Sequence, residues 1–107
     1  SIFSDKKKTK DLVLKYLKEK KCIKDISTIL GKTPQTIENH IINILETSKI
    51  DIDLDYFGLS EVYENEIKDA IKKIGTNYLK SIKDIINPNI TYFQIKLCLL
   101  VIKIENN

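Results

Sequence analysis

Apolar residues recur at helical spacing along most of this chain. Leu12, Val13, Tyr16 and Leu17 fall at i, i+1, i+4 and i+5, with Thr9 placed to cap the helix they predict and a basic end at residues 18–21. A short second helix is predicted over 23–30, with Ile26, Ile29 and Leu30 as its apolar face and Gly31 where a left-handed C-terminal residue belongs. Thr33-Pro34 then pairs an N-cap with Pro at the first helical position. The third helix, 34–48, carries Ile37, Ile41, Ile44 and Leu45 on one face. Residues 50–55 alternate aliphatic and acidic, the period of a short exposed strand or an extended linker. Beyond Gly58, Ser60-Glu61 opens a fourth helix through 74, lined by Tyr63, Ile67, Ala70, Ile71 and Ile74 and closed by Gly75. Leu79, Ile82, Ile85 and Ile86 mark a fifth helix, ended by Asn87-Pro88. Thr91 and Gln94 are spaced as a capping box at the head of a sixth. That last segment is apolar nearly all round, and Ile95, Leu97, Leu99 and Val101 also alternate as in a strand. The capping box favours the helix. The pattern predicts one all-α domain over 1–107, with five or six helices. It divides into a three-helix unit at 9–49 and a helical extension at 59–104.

Composition narrows the classes. The chain has 107 residues, 42% apolar and 31% charged, which is one domain's worth of core. No run nears the ~18 apolar residues of a membrane span, and no apolar stretch follows the early lysines as in a signal peptide. Three Gly and two Pro are too few for a sandwich of tight turns. The chain starts at Ser1 and has no Met, as a piece of a longer protein would; removal of an initiator is the alternative. Cys22 and Cys98 both lie in apolar-periodic segments and are expected to be buried, reduced thiols in a cytoplasmic protein.

Charge is unevenly spread. Residues 1–49 hold 11 Lys against 6 acids, and residues 50–107 hold 7 Lys against 9 acids. The front half suits a polyanion. All 18 basic residues are Lys, so the arginine that commonly reads guanine is missing.

The spacing over 23–45 matches a helix-turn-helix. Ser27 is small where the second helix crosses, Gly31 tolerates a positive φ in the turn, and Ile37 anchors the second helix. Opposite the apolar face lie Gln35, Thr36, Glu38, Asn39, Ile42, Asn43 and Glu46. Gln35 and Asn39 suit adenine edges, and Thr36 suits a phosphate or a thymine methyl. Lys32, Lys49 and the Lys6, Lys7, Lys8 cluster are candidate phosphate contacts. Glu38, Glu46, Asp51, Asp53 and Asp55 oppose DNA, so weak, sequence-independent contact is expected ahead of sequence-specific duplex reading. The Asp51-x-Asp53-x-Asp55 run is not a calcium loop, because Tyr56 and Val62 stand where Gly and Glu are needed. His40 has no ligand partner at metal spacing, and no triad or phosphate-cradling glycine loop is present. No cofactor, metal or catalytic residue is expected.

The run 23–45, with Gly31 and Thr36-Ile37-Glu38-Asn39-His40-Ile41, resembles two groups. One is the C-terminal helix-turn-helix domain of bacterial RecQ-family ATP-dependent DNA helicases. The other is the output domain of LuxR-type transcription regulators. Only the helicase domain continues through an aliphatic-acidic segment, a helix beginning near Ser/Glu and a Thr-Tyr-x-x-Ile segment. Those elements are here Ile50 to Leu54, Ser60-Glu61 and Thr91-Tyr92-Phe93-Gln94-Ile95. This resemblance spans about 9–102. It implies a non-catalytic accessory domain whose motor lies upstream in the same chain, in the bacterial cytoplasm, where it helps engage DNA. A module that docks on protein through Tyr56, Phe57 and the acidic edge is the alternative within that family.

Overall fold

The first helix, α1, runs Ile2–Lys18 and so begins seven residues before Thr9. The early lysines explain this. No Gly or Pro interrupts residues 2–18, and straight-chain Lys is a good helix former. Elongation therefore carries past Thr9, since each added residue gains a hydrogen bond once a helix exists. Thr9 sits inside the helix instead of capping it. Val13 and Leu17, one turn apart, are the buried positions of α1. A computed structural model describes residues 2–48 and 53–106, with residues 2–6 described by their backbone alone.

The chain divides into two compact units, Ser1–Ile50 and Asp51–Asn107. In the first, α1 is followed by α2 (Ile23–Leu30) and α3 (Pro34–Thr47). The turn after α1 closes with Lys20 N–H to Leu17 carbonyl at 2.9 Å and Lys21 N–H to Tyr16 carbonyl at 3.0 Å. That pattern needs a left-handed residue, and Lys20 supplies it at φ 61. Ile26, Ile37, Ile41 and Ile44 are fully buried and, with Val13, form the centre of this unit. Ile29, expected on the apolar face of α2, is instead 49% exposed. Cys22 is also exposed, contrary to expectation, because it stands at the N-cap of α2 and not on its inner face. Both cysteines are unbridged.

The second unit opens with a 3-10 turn, Leu54–Phe57, where the alternating pattern predicted extension. Ile50–Ile52 lie outside the described residues. The Asp53 carboxylate accepts from Asp55 N–H at 3.0 Å, and Gly58 at φ 78 closes the turn. These local bonds replace the pairing a strand would need, and no strand occurs among the described residues. Then come α4 (Glu61–Ile74), α5 (Leu79–Ile85) and α6 (Tyr92–Glu105). Ser60 caps α4 by accepting from Tyr63 N–H at 3.2 Å. In α6 the capping box is complete: Thr91 accepts from Gln94 N–H at 3.1 Å, and Gln94 Oε1 accepts from Thr91 N–H at 3.0 Å. Phe93, Ile95, Leu97, Cys98 and Leu100 are all buried, so α6 is the central helix of its unit. Ile74 and Ile85, expected to face inward, are 44% and 53% exposed, whereas Ile86 and Ile90 after α5 are buried.

Candidate nucleic-acid interface

The α2–α3 turn positions everything that follows. Gly31 adopts φ 64, and a Cβ there would meet nothing within 4 Å. Its requirement is therefore conformational only. Lys32 N–H donates to Ser27 carbonyl at 3.1 Å, and the Ser27 hydroxyl donates back to the Lys32 carbonyl. This reciprocal link leaves the Lys32 side chain exposed just ahead of α3. Thr33 caps α3 by accepting from Thr36 N–H at 3.2 Å, with Pro34 at the first helical position.

Ile37, Ile41 and Ile44 turn one side of α3 into the core. Helical geometry then aims Gln35, Asn39 and Glu46 the opposite way, flanked by Ile42 and Asn43. Gln35, Asn39 and Asn43 are exposed and spaced at i, i+4 and i+8, a continuous row of uncharged amides. Thr36 is half-buried, and its hydroxyl lies 2.9 Å from that of Thr33, so it serves the cap. Glu38 is half-buried on the flank. Glu46 is exposed but sits eleven residues beyond Gln35, about 16 Å along the axis. No acid lies in the first turn of α3, where the positive end of its helix dipole points.

The basic candidates fall at two ends of α3. Lys32 stands at its head. At its tail, Lys10 Nζ donates to Thr47 Oγ1 at 3.1 Å, and Thr47 Oγ1 donates to Asn43 carbonyl at 2.9 Å. Lys7 is exposed on α1 one turn before Lys10 and shares its side, so it belongs to the tail end, whereas Lys8, two residues from Lys10, is exposed on the other side of α1. Lys6 lies in α1, and its side chain is outside the described set; Lys49 lies outside the described residues. Sequence reasoning missed Lys10, whose partner is 37 residues away. It also gave no role to the half-buried Ile42 beside the amide row.

The second unit shows a different arrangement. Phe57, named as a docking residue, is buried and packs edge-on against Phe93 with ring centroids 5.6 Å apart. Tyr56 is half-buried beside it, at 4.9 Å from the Phe57 ring. Asp53, Asp55, Glu61 and Glu64 border an open hollow, where Lys68 pairs with Glu64 at 2.9 Å. Hydrogen bonding to Glu64 raises the Lys68 pKa. Among the described residues no group of three His, Cys, Asp or Glu side chains is placed to hold a metal ion. No helix of the described residues is long and apolar enough to cross a membrane.

Compared with known proteins, residues 9–99 match a family model described as a helix-turn-helix domain. No curated protein and no solved structure matches. The matched span takes in all of α2 to α5, much of α1 and over half of α6, so it covers far more than the bihelical motif. The chain belongs to this family of helix-turn-helix domains.

Proposed function

We propose that the chain is a non-catalytic DNA-binding domain, the C-terminal accessory module of a RecQ-like ATP-dependent helicase whose motor lies upstream. The observation that carries the DNA reading is the solvent face of α3. It is an uncharged amide row with lysines at both ends and its acids set aside or far along the axis. The helicase context draws on the resemblance of residues 50–54, 60–61 and 91–95 and on the family match. Lys32 at the head and Lys7 near the tail make the phosphate contacts, and α3 lies between them in the groove. Contacts of this kind release condensed counterions, so affinity falls steeply with salt.

The test is a titration of the chain with single-stranded, duplex and forked DNA at ~50 mM salt and above. Binding should weaken linearly in a log–log plot against salt, with a slope of about −0.9 per duplex phosphate contact. Lys32→Glu combined with Lys7→Glu should abolish it. Absence of binding to all three forms at low salt would refute the DNA reading. Unchanged affinity in the double variant would place the interface on another face.

A further inference from the structure

We propose that the outer face of α3 selects A·T base pairs in the major groove, with Gln35 and Asn39 bonding adenine and Ile42 touching the thymine methyl. This rests on the DNA-binding reading above and adds a base preference to it.

The argument begins from what each base pair displays. Adenine offers an acceptor at N7 beside a donor at N6, which a carboxamide matches with its own donor and acceptor. Thymine offers a methyl group, which an aliphatic side chain covers. Guanine offers two acceptors, which call for Arg or Lys. On α3 the three exposed side chains nearest its head and middle on the outer side are Gln35, Asn39 and Asn43, all carboxamides. Ile42 is a half-buried aliphatic at the edge of the same row. Residues 34–47 contain no Lys, and the whole chain contains no Arg. The helix face therefore carries the adenine and thymine partners and no cationic guanine partner, Lys32 standing ahead of the helix where it is assigned to phosphate.

The remaining polar groups of α3 do not reverse this. Thr36 is committed to the Thr33 cap. His40 is half-buried, on the flank away from Gln35. A carboxylate can accept from cytosine, but Glu38 is turned nearer the core face than Ile42 or the amide row, and Glu46 is about three turns from the head. Helices of this class meet base edges chiefly through their N-terminal residues. That portion here is Gln35 and Asn39.

The experiment uses the 107-residue chain and end-labelled duplexes of equal length at low salt, one of mixed A·T sequence and one of G·C. Anisotropy should show at least tenfold tighter binding to the A·T duplex. Gln35→Ala with Asn39→Ala should bring the ratio near one while the salt slope stays unchanged. An A·T duplex carrying 7-deazaadenine, which lacks the N7 acceptor, should lose most of the advantage. Equal affinity for the two duplexes, with normal salt dependence, overturns the base preference and leaves DNA binding standing. A preference that survives both the double variant and the 7-deaza duplex comes from groove shape, and it too overturns the proposal. Binding to neither duplex overturns this and the DNA-binding reading together.

Discussion

The two units solve the same problem, packing three helices, with different uses of their polar side chains. In the first unit the core is mostly isoleucine, with Val13 and Leu17, and the side-chain bonds come from hydroxyls and from Lys10: Thr33 caps α3, Ser27 bonds the turn, and Thr47 receives Lys10 from α1. The outer face of α3 keeps its amides exposed. In the second unit a carboxamide and a carboxylate are bonded to the backbone of other segments. Gln94 donates to Phe57 carbonyl at 3.0 Å while completing the α6 capping box, and Glu66 accepts from Asn87 N–H at 2.9 Å. The charge follows the same division, with Lys in excess over acids in residues 1–49 and acids in excess in 50–107. A unit whose carboxamide bonds its own backbone has committed that group. One that leaves three of them exposed in a row keeps them available to a partner.

Core truncation is the most severe way to test this division. Ile41→Ala and Ile95→Ala each remove a fully buried side chain, one per unit, and each should cost about 2–5 kcal/mol. Hydrogen exchange should show lost protection in α1–α3 for the first and in α4–α6 for the second. Equal loss throughout in both variants would erase the distinction between the units.

A smaller contrast lies in the turns. Gly31 faces open space, but a Cβ at Gly58 would lie 2.8 Å from Gln94 Nε2. Gly31→Ala should therefore cost only the left-handed strain, about 1–2 kcal/mol. Gly58→Ala should add about 1 kcal/mol for each Gln94 hydrogen bond displaced. Urea unfolding of the two variants measures the gap, and equal costs would mean that Gln94 is not a clamp.

A pH dependence in the second unit, seen only in alkali, completes the contrast. Burial in α6, with a lesser push from Glu64, raises the Cys98 thiol from 9.0 to about 11. The unfolded thiol ionises first, so the unfolded chain binds fewer protons between these values. Stability is unaffected by this group below about pH 9. It then falls by up to ~1.4 kcal/mol per pH unit until the folded thiol also ionises near 11. Melts of the parent and Cys98→Ala across pH 8–11 should diverge in slope over this window. Parallel slopes would show that burial does not hold the proton on Cys98.

Much of the fold was legible because its signals are local. Gly31, Thr33-Pro34, Ser60 and the Thr91/Gln94 pair each act within four residues, and each sits where its chemistry required. The capping box also decided α6 against the strand that its alternation permits. Non-local effects were not legible. Thr9 lost its cap because the lysines before it continue the helix. Helical spacing placed Ile29, Ile74 and Ile85 on apolar faces, but spacing cannot say which apolar residues find a neighbour. The alternation at 50–55 gave no sign that Asp53 and Gly58 would wind the chain into a turn and bury Phe57. For the candidate site, the residues of the α3 face could be named from periodicity. The Lys10–Thr47 bond, which places Lys10 at the tail of α3, could not.

That bond gives the length of α3 a second meaning. With Lys32 at one end and Lys10 bonded to Thr47 at the other, the fourteen residues of α3 act as a ruler of about 21 Å between two positive points. The caps that stop α3 at Thr33 and Ser48 therefore calibrate a distance as well as satisfy a helix.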